Sequence, residues 1–230
     1  MMLIKHLQEK QKTRQNQTSD FYTPTGIHVY FKEPLLSEEI DIEKAISDVE
    51  GMLPPHLLSE IEMIIVGWFD EFEDRELTAF YDGGTIFLSH IQTDETSLIE
   101  NIIHEISHSL EIPNGYLLYG DNKIKDEFLR KRKHLHDILW SNNFRAPESF
   151  FMNVEYDEEF DMFLYEDIGY DKLATLMQGL FINPYAATSL REYFATGFTD
   201  FFMNSNHDFL KTVSPQLYQK IITLQDPNNT

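Results

Sequence analysis

Two histidines and a glutamate near the middle of the chain have the spacing of a metal site. His104, Glu105 and His108 form the pattern H-E-x-x-H within IENIIHEISHSLE, residues 99–111. On a helix turning ~100° per residue, side chains four apart lie only ~40° from one another. Both imidazoles can then reach one ion. A zinc held in this way keeps a coordination position open for water, and the glutamate beside the first histidine can take a proton from that water. With 9 His and 22 Glu in 230 residues, chance gives about 0.03 such matches per shuffled sequence.

The stretch has to be helical for this chemistry, and its apolar phase predicts a helix. Ile99, Ile102, Ile103, Ile106 and Leu110 recur as one stripe, with His104 and His108 on the opposite face. Ser97 and Glu100 have capping-box spacing, and Pro113-Asn114-Gly115 marks the end. Two protein ligands make a poor zinc site, so a third is required. His134 and His136 stand two apart, ~200° around a helix, and cannot face one ion together. A glutamate on a later helix is the remaining common solution. REYFATGF, residues 191–198, offers Glu192 in an otherwise apolar segment. A metal there would remove the cost of burying its carboxylate.

The two segments together resemble the anthrax lethal factor-like zinc metalloproteases, which include the Pro-Pro-cleaving endopeptidases of clostridia. HEISH is followed by PYAATSLREYFATGF, in which Tyr185 stands seven residues before Glu192 and Tyr193-Phe194-Ala195 follow it. The closing HDFLKTVSPQLYQKI is similar to the family's last helices. The resemblance covers roughly residues 60–225 and implies a gluzincin-type, zincin-like fold. It implies that His104, His108 and Glu192 bind one zinc ion per chain and that Glu105 is the general base. It also implies that Tyr185 gives its hydroxyl to the oxyanion. The 84 residues from His108 to Glu192 are long for the family, and a helical insertion at about 116–180 accounts for them.

The supporting elements follow from the pattern around these motifs. GIHVYFKE (26–33) and EMIIVGWF (62–69) read as strands, and LTAFY-DGG-TIFLS (77–89) reads as a hairpin turning at Asp82-Gly83-Gly84. A helix over 37–53 is expected, capped by Ser37, with Ile42, Ala45, Ile46 and Val49 as its stripe. Further helices are expected over 189–203 and 214–224. The predicted class is α+β: a small N-terminal mixed sheet with an edge strand, the active-site helix, then a mainly helical C-terminal part. Residues 1–20 read as a polar tail and 21–230 as a single zincin-like domain. In zincins an edge strand over the active-site helix pairs with extended substrate. Either 85–89 or 77–81 can fill that role.

Composition bounds the function. Cysteine is absent, which excludes disulfides, thiolate metal sites and cysteine nucleophiles. The start of the chain lacks the apolar region of a signal peptide, and no stretch is long enough for a membrane span. A soluble protein, cytoplasmic or assembly-associated, is therefore expected. The formal charge of −21 repels nucleic acid and anionic lipid. Neither is expected as a partner, and the favoured substrates are peptides or proteins, basic ones in particular. The cationic run Arg130–Lys133 and the seven acids between Glu155 and Asp167 read as solvated helix faces.

The function expected is zinc-dependent peptide-bond hydrolysis. Hydrolysis of a non-peptide amide would use the same zinc and base. The alternative from another class is a non-proteolytic structural or interaction protein on a zincin scaffold. It would belong to a larger assembly such as a virion, with a partner ordering the N-terminal tail.

Overall fold

A computed structural model describes residues 20–37, 39–72 and 77–228. The polar tail expected over 1–20, and any partner that orders it, lie outside the described residues except for Asp20. The fold is mixed α and β, as the α+β expectation requires. The chain divides into two compact units, Met1–Ser109 and Leu110–Thr230.

The first unit is built on one five-stranded sheet. Its strands are β1 (Phe21–Tyr22), β2 (His28–Phe31), β3 (Met63–Gly67), β4 (Ala79–Asp82) and β5 (Thr85–Ser89), in the order β1-β2-β3-β5-β4. β2, β3 and β5 run parallel, while β1 and β4 pair antiparallel at the two sides. Register aligns Val29, Ile64 and Ile86 in one row and Phe31, Val66 and Leu88 in the next. All six are buried, so one sheet face carries a continuous apolar core. On the other face Phe80 and Phe87, directly paired across β4 and β5, stack at 4.5 Å.

Helix α1 (Ile42–Met52) buries the expected stripe of Ile42, Ala45, Ile46 and Val49, but Ser37 does not cap it. Asp41 does, its carboxylate accepting from the Lys44 amide at 3.0 Å. The cap sits directly before the first apolar position, where an anion also meets the positive end of the helix. The hairpin between β4 and β5 turns as expected, with Gly83 and Gly84 at φ of 50° and 85°. Few side chains tolerate two successive positive angles, and glycine does so without strain.

The second unit is helical. After Leu110 and Glu111, the last two residues of α2 (Glu95–Glu111), come α3 (Gly115–Tyr119), α4 (Lys123–Ser141), α5 (Glu148–Met152) and α6 (Glu158–Met162). A π-helical stretch, Phe163–Ile168, leads into α7 (Tyr170–Leu176). A 3-10 turn, Tyr185–Ala187, precedes α8 (Leu190–Met203), and α9 (Asp208–Val213) and α10 (Pro215–Leu224) close the chain. Glycine is needed where α8 meets α10, since a Cβ at Gly197 would stand 2.3 Å from the Leu217 side chain.

One expectation fails in α4. Arg130 and Lys133 are exposed, but Lys131 and Arg132 are buried on the same face as Phe128 and Leu135. Helical phase carries these two cations into the core although the run as a whole is hydrophilic. Lys131 donates to the Ser214 hydroxyl at 2.7 Å. The neighbouring Glu127 accepts from the Tyr193 hydroxyl at 2.9 Å and from the first amides of α10. Among the described residues no helix is long and apolar enough to cross a membrane.

Candidate metal centre

Helix α2 presents the first two candidate ligands. Leu98, Ile99, Ile102, Ile103, Ile106 and Leu110 are buried, so the apolar stripe anchors the helix as its phase predicts. Asp94 caps it in place of the Ser97–Glu100 box, accepting from the Ser97 amide at 2.8 Å. Ser97 already lies inside the first turn, so its own amide is one of the orphan donors. On the face away from the stripe, the His104 and His108 rings are half-buried, 5.0 Å apart and inclined at 78°. Glu105 is 7% exposed. The Ser107 hydroxyl donates to the His104 carbonyl at 2.6 Å.

The third candidate ligand stands in the first turn of α8. Ser189 caps this helix, its hydroxyl accepting from the Glu192 amide at 3.1 Å. A carboxylate in the first turn also suits the helix dipole. Tyr185, half-buried, opens the preceding 3-10 turn, and its carbonyl accepts from the amide and hydroxyl of Thr188 at 3.0 and 2.8 Å.

His104, His108 and Glu192 form a group that could hold a metal ion. Each offers one ligand atom, and these atoms all lie within 4.8 Å of one another. Donors around a single tetrahedral ion at ~2.1 Å lie ~3.4 Å apart, inside that limit. Two imidazoles and one carboxylate are a zinc donor set that keeps a fourth position for water. His134 and His136 do not belong to the group. His136 instead packs against Phe151 at 5.0 Å. Compared with known proteins, the chain matches no family model, no curated protein and no solved structure.

Three neighbours escaped the sequence reading. Glu111, three residues after His108, accepts from Arg191 Nε at 3.0 Å and from the Tyr119 hydroxyl at 3.0 Å. Burial and then the Glu111 charge push the Tyr119 hydroxyl well above the ordinary tyrosine range. Arg191 directly precedes Glu192. The available signal is positional: Glu111 continues the His104–His108 face by one more turn, and Arg191 adjoins the candidate ligand Glu192.

Sheet order separates the two strands 77–81 and 85–89 by their edges. β5 is paired on both sides, by β3 and β4, whereas β4 is the outer strand among the described residues. Residues 85–89 therefore present no free edge, because their backbone groups are already paired. Just before β4, Thr78 accepts at its hydroxyl from Asn101 Nδ2 on α2, at 2.9 Å. Asn101 shares the helix face of His104 and His108, within ~60° of both.

Proposed function

We propose that this chain is a zinc-dependent endopeptidase of the lethal factor-like, gluzincin type. The observation that carries the reading is the convergence of His104, His108 and Glu192 within 4.8 Å, in a two-histidine, one-carboxylate donor set. When bound there, zinc polarises the scissile carbonyl and lowers the pKa of water to about 7. Glu105 accepts the proton of the attacking water and returns it to the leaving amine as the C–N bond breaks. The Tyr185 hydroxyl donates to the oxyanion, a contact worth ~3 kcal/mol in comparable sites. The outer strand β4 pairs with an extended substrate through the amides and carbonyls that face away from β5. The net charge of −21 favours basic peptides.

A peptide-library digest by zinc-loaded protein, with Glu105→Gln run in parallel, tests the proposal. Cleavage by the wild type and none by the variant is expected. Failure to cut any peptide, with zinc bound, would support a structural or interaction role in a larger assembly instead.

A further inference from the structure

Arg132 is a large, fully buried side chain, 0% exposed, in the middle of α4. Its donors go to backbone carbonyls of two other segments. Nη1 donates to Ala187 at 2.6 Å and to Thr188 at 3.0 Å. Nη2 donates to Phe150 in α5, and among the described residues Nε has no partner. The guanidinium lies 3.9 Å from the centre of the Phe160 ring and 5.2 Å from that of Phe128.

A charge taken so far from water is costly, and an apolar residue of similar volume would fill the space at lower cost. What an apolar residue cannot supply is a planar fork with donors at fixed angles. The carbonyls it serves are informative. Ala187 ends the 3-10 turn and Thr188 follows it, just before the cap of α8, so neither carbonyl belongs to the hydrogen-bond ladder of α8. Tyr185 is at one end of this short segment. At the other end Ser189 caps α8 and binds the Glu192 amide.

We infer that Arg132 is a positioning residue, which fixes the Ala187–Thr188 turn and thereby the place where α8 begins and the angle at which Glu192 is presented. The inference rests on the metal-centre reading above. The same fork ties this turn to α5, so the helices of the 116–180 stretch help to define the third ligand. Lysine would keep the charge but not the simultaneous reach to three carbonyls.

The test is a cobalt(II) titration of the full chain, read by visible absorption as well as affinity. Four proteins are compared: the wild type, Arg132→Lys, Arg132→Met and, as a first-unit core control, Leu57→Ala, whose side chain is fully buried before β3. Both Arg132 variants should bind cobalt at least about tenfold more weakly, as loss of an orienting partner does elsewhere, with an altered spectrum. Leu57→Ala should lose stability but keep wild-type affinity and spectrum. Wild-type cobalt binding by both Arg132 variants would overturn the inference and leave the metal reading standing. A wild type that takes up no cobalt would overturn both. A metal-free Arg132→Lys protein that cannot fold would assign Arg132 to the core alone, again overturning the inference.

Discussion

Glu111 and Arg191 meet at 3.0 Å, Oε1 to Nε, and join the last residue of α2 to the residue before Glu192. The pair links the end of the histidine-bearing helix to the start of the glutamate-bearing one. The Arg191 side chain is 57% exposed but that of Glu111 only 9%, and Glu111 also accepts from the Tyr119 hydroxyl, so removing its charge takes an acceptor from partly buried donors. The position of the pair suits it to hold the two segments that bear the candidate ligands in register. Glu111→Gln should lower zinc affinity by about tenfold and, because Glu111 is buried and accepts two hydrogen bonds, should also lower the unfolding temperature. A competition titration against a chromogenic chelator measures the first and calorimetry the second.

Glu105 adjoins the candidate ligand His104 without being one of the three residues of the candidate group. Glu105→Gln keeps its size but removes the base, so peptide hydrolysis should fall by at least ~100-fold. Zinc content should not change. A single-turnover assay alongside metal analysis separates the two quantities.

Pairing in the β4–β5 hairpin alternates. The Ser89 amide donates to the Thr78 carbonyl at 2.8 Å, which makes 78/89 a bonded pair and leaves Ala79 and Tyr81 with amides facing outward. Tyr81→Pro removes one outward donor without deleting a ladder bond. Cleavage efficiency on extended peptides should drop about tenfold through KM, with zinc affinity unchanged. Steady-state kinetics on a peptide of eight or more residues checks this.

Burial pulls the Lys131 ammonium down to about 8, with Glu127 opposing. Between about pH 8 and 10 the native chain gives up this proton while the unfolded chain keeps it, so the group makes stability rise with pH. The penalty relieved across that interval is about 3 kcal/mol. Lys131→Met should remove this rise. Urea unfolding of both proteins at pH 7, 8, 9 and 10 should give curves that converge as pH increases.

Much of this arrangement is legible in local pattern. The Ile99–Leu110 stripe gives α2 and the direction of its histidines, and Asp82-Gly83-Gly84 gives the hairpin. Glu192 stands out as the carboxylate of the otherwise apolar REYFATGF segment. What escapes depends on partners remote in sequence. Asp41 and Asp94 cap the helices, rather than Ser37 and Ser97, because tertiary packing decides which residue comes just before the buried stripe. Lys131 and Arg132 look solvated within a cationic run, yet the phase set by Phe128 and Leu135 turns them inward. The outer position of β4 follows from the parallel pairing of β3 with β5, which no local signal carries. Arg132 and Thr188, 56 residues apart, become neighbours only in the folded unit.

Zinc content of the purified chain tests the central claim most directly. About one zinc per wild-type chain is predicted, falling to a small fraction in Glu192→Ala under the same dialysis. A wild-type protein that retains no zinc after saturation and dialysis would contradict the account.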